Sequence, residues 1–163
     1  MTLEDGEGRV SKERLQLVEK DIGIKFPISF VDLLQDEDGG YPAEEFADFL
    51  YYDSYSKAYF VTGIGAFLSI GDSKNANVLD YYKSPPEMFP KDVVIFADTG
   101  GGDYFCFDYR YGYNNQNPPI VYWNHEAEVG KDLIFLAPDF DIFIKMFKPE
   151  GYYDHLLGGS SGE

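Results

Sequence analysis

The residues best placed to do chemistry are Asp98-Thr99-Gly100, which follow the apolar run Val93 to Phe96 and spell the triplet of aspartic proteases. Those enzymes use two carboxylates that share a proton and activate water. This chain holds one such triplet, so catalysis through Asp98 requires a homodimer, and Gly101 follows where Ala or Ser is favoured. The other reactive side chains are few. His125 and His155 are the only imidazoles and Cys106 the only thiol, and no H-x-x-x-H or C-x-x-C spacing occurs, so a zinc site lacks ligands. Asp36-Glu37-Asp38-Gly39-Gly40 begins like a calcium loop but breaks the D-x-D-x-D-G pattern at Gly40 and Tyr41 and has Ala47 at the twelfth position. Gly63-Ile64-Gly65 lacks the third glycine of a dinucleotide loop, and Gly100-Gly101-Gly102 has no following Lys-Ser or Lys-Thr. The expectation is a protein without catalytic residues, cofactor or metal.

Binding chemistry is better supplied. With 29 Asp and Glu against 13 Lys and Arg, the formal charge is −16, a field that repels phosphate backbones and attracts cationic proteins. No Lys or Arg falls between Phe26 and Ser56, where Asp36, Glu37, Asp38, Glu44, Glu45, Asp48 and Asp53 cluster. Tyr51, Tyr52, Tyr55 and Tyr59 lie among them, and Tyr109, Tyr111 and Tyr113 form a second group before Asn114-Asn115-Gln116-Asn117. Tyrosine buries a ring while its hydroxyl stays hydrogen-bonded, which suits protein interfaces. The partner expected is a basic protein, met by the acidic stretch with Tyr51, Tyr52, Tyr55, Tyr111 and Tyr113. Nucleic acid and membrane are not expected as partners: no segment approaches the roughly 20 apolar residues of a membrane span. The unpaired cysteine and the absence of a signal-like opening point to the cytoplasm.

The elements that must position these residues follow from periodicity. Ser11 can cap a helix with Leu15, Val18 and Ile22 on one face and Gly23 as its stop. Pro27 suits the start of a second helix carrying Phe30, Val31 and Leu34 and ended by Asp38-Gly39-Gly40. From Phe46 the pattern turns to β-prone runs: 59–61, 66–70, 93–96, 104–107, 120–123 and 133–136. A middle helix fits 75–83, with Ala76, Leu79 and Tyr81 or Tyr82 inward, and a closing helix after Pro138-Asp139 carries Phe140, Phe143, Ile144 and Phe147. The connections are too short for repeated βαβ units, so the fold class is α+β: one domain with a central antiparallel sheet, two leading helices, and a middle and a C-terminal helix on the sheet. Gly39-Gly40 and Gly100-Gly101-Gly102 are expected to be structural turns. Residues 1–8 and 158–163, rich in glycine and polar residues, are expected to be flexible tails around a domain spanning 9–157.

The ordered set Phe26-Pro27-Ile28-Ser29-Phe30-Val31-Asp32-Leu33-Leu34, then Asp38-Gly39-Gly40, resembles the opening of SUKH domains, the Smi/Knr-type superfamily, with Asp38 in place of the usual Asn. Phe67-Leu68-Ser69-Ile70, the glycine-rich stretch Val93 to Asp108, Pro119 to Trp123 and Ala137 to Phe143 resemble its later parts in the same order. The resemblance implies a binding function: a toxin-neutralising immunity protein as in many bacterial members, or an interaction scaffold in signalling as in eukaryotic relatives. A homodimeric protease built on Asp98 is the remote alternative.

Overall fold

The computed structural model of the 163-residue chain describes residues 1–73, 77–112 and 116–156. Helix α1, Lys12–Ile22, begins where the Ser11 hydroxyl accepts from Arg14 N at 3.1 Å and ends at Gly23, whose φ of 82° lets its N–H reach Glu19 O at 2.8 Å. Helix α2, Ile28–Leu33, opens behind Pro27 and closes at Leu34. Its stop is therefore not Gly39-Gly40, as the sequence suggested. Those glycines serve a tighter purpose. At φ +83° and +100° they carry the chain against the sheet, where Gly40 exchanges two backbone hydrogen bonds with Phe67, and a Cβ on Gly40 would collide with Glu4 O.

Glu4 belongs to a strand the sequence did not suggest. Residues 1–8 were expected to fray, yet β1, Leu3–Glu4, pairs antiparallel with β2, Tyr41–Pro42, and Leu3 is buried. Asp38 N–H to Gly8 O at 2.7 Å extends the attachment, so burial of one leucine and several backbone bonds hold the segment down.

The main sheet has the order β5-β6-β7-β8-β9: Ala66–Phe67, Val93–Asp98, Tyr104–Asp108, Ile120–Trp123 and Leu133–Ala137, antiparallel throughout. The run 66–70 yields only the two-residue β5, because Ile70 N and Gly71 N turn away to donate to Asp38. Between β6 and β7, where the chain reverses, Gly100 and Gly102 take φ +79° and +96°. Alternation along the strands gives two buried faces. One carries Phe96, Phe105, Phe107 and Tyr122 under α2 and the closing helix α4, Phe140–Lys145, which Asp139 caps through Ile142 N at 2.8 Å. There Phe30 lies edge-on to Phe107 at 5.1 Å, and Phe143 meets Phe105 at 5.4 Å. The other face carries Ile95, Cys106, Val121 and Trp123, under Phe89 and helix α3, Val78–Lys83. Leu79 is buried and Tyr81 meets Tyr104 at 5.4 Å, while Tyr82 is exposed; Ala76 lies outside the described residues.

The α+β architecture is thus the one implied by the sequence, and to its central sheet the structure adds the β1–β2 pair and a second small sheet. Phe49–Asp53 and Ala58–Thr62 form β3 and β4, a separate two-stranded ribbon. Among the described residues no helix is long and apolar enough to cross a membrane.

Candidate functional site

The β3–β4 ribbon is an arm built from residues of high strand propensity on both sides of a four-residue turn. Asp53 organises that turn by accepting from Tyr55 N and Ser56 Oγ, both at 2.8 Å, and Lys57 adopts φ +56°. Its inner face carries Phe49, Tyr51 and Phe60. Phe49 is fully buried against Phe105, Phe143 and Phe147, and Tyr51 stacks between Phe60 and Tyr122 at 5.7 and 5.0 Å. Hydroxyl bonds complete the anchor. Tyr122 donates its hydroxyl to Asp103 Oδ2 at 2.6 Å, and Asp103 Oδ1 also receives His125 N at 2.9 Å and faces His125 Nδ1 at 2.6 Å. Burial, with the carboxylate alongside, pushes the Tyr51 and Tyr122 hydroxyls above their ordinary range.

The outer face of the arm departs from the usual pattern. Antiparallel sheets that cover a core on one side normally turn polar residues to water on the other. Here the outward pairs are Leu50 with Val61 and Tyr52 with Tyr59, and Tyr52 and Tyr59 are 46% and 60% exposed with ring centroids 5.0 Å apart. Tyr55 is exposed at the tip. Both faces of the ribbon are apolar or aromatic: on the inner one Phe49 is buried and Tyr51 half-buried while Phe60 stays exposed, and on the outer one Leu50 and Val61 are half-buried beside the exposed rings.

Carboxylates gather at the base of the arm. Glu44 and Glu45, exposed on the short 3₁₀ turn Glu44–Phe46, join Glu150 around a cleft of about 480 Å³ with Ala47 and Pro149. Asp48 is committed inward: its backbone bridges Lys148 and its Oδ2 accepts from Gly151 N at 2.8 Å. The acidic stretch is not one continuous rim. Asp36 and Glu37 sit in the loop that leads to the β5 edge, where Asp36 lies 3.4 Å from Arg9, whereas the arm lies over β8. β5 and β8 are three strand spacings apart, about 14 Å.

Asp38, expected to meet the partner, is buried, and Tyr109 and Tyr111 of the second tyrosine group lie away from the arm. Asp38 is 2% exposed and accepts from Ile70 N at 2.8 Å and Gly71 N at 2.7 Å, so it fastens the β5 loop and cannot meet a partner. Burial raises its pKa, outweighing those two donors. Tyr109 is buried and donates to Lys25 O at 2.7 Å. Tyr111, 85% exposed, follows the Asp108 end of β7, remote from the Tyr104 end beside which the arm is anchored. Tyr113 lies outside the described residues, as do residues 157–163.

The chemistry-bearing candidates are occupied structurally. Asp98 Oδ1 accepts from Ala66 N at 3.1 Å, joining β6 to β5. Cys106 is fully buried, which pushes its thiol well above the ordinary range. His125 borders a cleft of about 610 Å³ whose only hydroxyl among the described residues is that of Tyr104, its pKa pushed up to about 12 chiefly by burial. Among the described residues no group of three His, Cys, Asp or Glu could hold a metal. Sequence reasoning passed over Leu50, Phe60, Val61 and Glu150. The signal for the first three was there in Phe49 to Val61, a turn flanked by runs that are apolar at consecutive rather than alternate positions.

No curated protein matches the chain. The family model described as SMI1/KNR4 (SUKH-1) matches residues 9–146, and this span holds the leading helices, the arm, the full sheet and the closing helix. With most of its length covered, the chain belongs to the SMI1/KNR4 family, SUKH-1.

Proposed function

We propose that the chain is a cytoplasmic immunity protein that binds a basic toxin domain, of the kind that acts on nucleic acid, and neutralises it by one-to-one occlusion. The family to which it belongs includes such proteins. The observation that carries this reading is the exposed ring pair Tyr52 and Tyr59 on the outer face of the arm, continued by the half-buried Leu50 and Val61, with Glu44, Glu45 and Glu150 at the base of the arm. Exposed aromatic area of this kind marks interaction surfaces, and tyrosines there commonly dominate binding energy. The carboxylates steer a cationic partner toward the rings, which then slow its departure. A toxin that cleaves nucleic acid offers a basic cleft, for which an acidic protein is a fitting plug. No covalent step is involved.

The test is titration of a toxin encoded beside this chain. Inhibition should be complete at one equivalent and should require the arm: Tyr52→Ala with Tyr59→Ala weakens binding at least about 30-fold, the equivalent of one hot-spot residue. Tight binding without inhibition would make the protein a scaffold instead.

A further inference from the structure

We infer that the arm takes its partner as a third strand, an extended basic segment laid antiparallel or parallel along β4. This rests on the reading that the arm is the docking surface and adds the mode of engagement.

Strand β4, Ala58–Thr62, has one neighbour, β3; among the described residues its backbone makes no hydrogen bond to any other strand. Every second residue of such a strand turns its N–H and C=O outward, a ready template for another chain. Natural edges are usually guarded by a charge, a proline, a bulge or a covering loop. Ala58-Tyr59-Phe60-Val61-Thr62 carries no charge and no proline, and its register with β3 runs without a shift. The opposite treatment is seen at β5, which is only two residues long and is covered by Gly40.

The ribbon also gains by a third strand, since two strands alone are marginal in water and this pair leaves apolar side chains on its outer face. A strand added beside β4 extends that face and covers Tyr59 and Val61. Charge sets the occupant. Asp53 closes the ribbon, Glu44, Glu45 and Glu150 flank its base, and Lys57 is the only cation between Phe26 and Val61. A second copy of this chain, at −16, is repelled, whereas a segment alternating basic and apolar residues finds both carboxylates and rings. The other long edge strand, β9, pairs only with β8 among the described residues, lies close to β3, is preceded by Lys131 and offers one exposed ring, Phe135.

The experiment follows residue-resolved amide exchange of the full chain by NMR with three peptides of about seven residues, a usual strand length. One alternates lysine and valine, one alternates glutamate and valine, and one repeats the first with alternate amides N-methylated to remove strand donors. The basic peptide should slow exchange at alternate β4 amides by at least about tenfold, and the other two should not. Equal effects from the N-methylated peptide would overturn strand addition while leaving docking on the outer face intact. Protection at β9 in place of β4, self-association without peptide, or no response of the arm to any peptide would each overturn it, the last together with the docking reading.

Discussion

The loop that carries Asp38 and the arm that carries Tyr52 and Tyr59 are built from the same residue types and put them to opposite use. In the loop a carboxylate is turned inward, buried to the point that its pKa rises, and spent on two backbone N–H groups. In the arm the outward rings are left uncovered, and the carboxylates at its base stay in water. Burial therefore separates scaffold from surface more sharply than residue type does, and charge clustering along the chain conceals the difference.

The largest effect should come from the loop. Asp38→Ala leaves Ile70 N and Gly71 N without acceptors in a buried site, and should cost about 3 kcal/mol of stability in denaturant unfolding. Asp38→Asn keeps one acceptor and should cost about 1 kcal/mol. A loss below about 0.5 kcal/mol for the alanine variant would mean that the loop relaxes and water takes over both donors.

Next comes the arm, where the split between stability and binding reverses. Tyr52→Ala with Tyr59→Ala removes exposed rings, so stability should change by less than about 1 kcal/mol while partner affinity falls at least about 30-fold. Tyr51→Ala, which empties a stacked position against Tyr122, should instead cost about 3 kcal/mol. If Tyr52 and Tyr59 proved as costly to stability as Tyr51, the outer face would be part of the fold and the comparison would collapse.

Much of the scaffold was legible because its rules are local. Ser11 and Gly23 bracket a helix by capping chemistry, Asp139 caps the last one, and the alternation of Phe105, Cys106 and Phe107 announces a strand buried on both sides. The misses are long-range. Nothing near Leu3 indicates that it will pair beside Pro42, and nothing near Asp38 indicates two amides 32 and 33 residues away. Read along the chain, Asp36, Glu37, Asp38 and Asp48 look like members of one acidic rim. The topology puts Asp36 and Glu37 toward the β5 edge, buries Asp38, and ties Asp48 to Gly151. Leu50 and Val61 escaped for the opposite reason: a ribbon with apolar residues on both faces shows no period of two.

A smaller effect concerns association kinetics. Glu44→Lys, Glu45→Lys and Glu150→Lys together reverse the charge around the cleft without touching a structural bond, and so should slow association with a basic partner about tenfold at low salt and flatten its salt dependence. Asp48 is left out of that set because it holds Gly151 N. Stopped-flow rates that do not move would place the steering charges elsewhere, at Asp36 and Glu37 toward the other edge of the sheet.

The smallest effect joins the two regions, because Asp103 holds His125 and, through Tyr122, the base of the arm. Asp103 faces the imidazole at 2.6 Å and Glu126 lies 3.8 Å from its other nitrogen, so the His125 pKa is raised above its ordinary value, by the Asp103 hydrogen bond first. A histidine whose folded pKa exceeds its unfolded value of about 6.5 contributes its full stabilisation below that value, and the contribution is lost as pH rises through the folded pKa. The ring is well exposed, so solvent screening keeps this contribution small. The proton itself is easier to read: the His125 ring resonances should titrate with a midpoint above about 6.5, and Asp103→Asn should bring it back toward that value. The same substitution weakens the acceptor that holds the Tyr122 hydroxyl, so amide exchange across β3 and β4 should quicken in that variant while the β6–β7 ladder keeps its protection. An arm that stays as protected as before would be held by Phe49 and the Tyr51–Tyr122 stack alone, with Asp103 serving only the histidine.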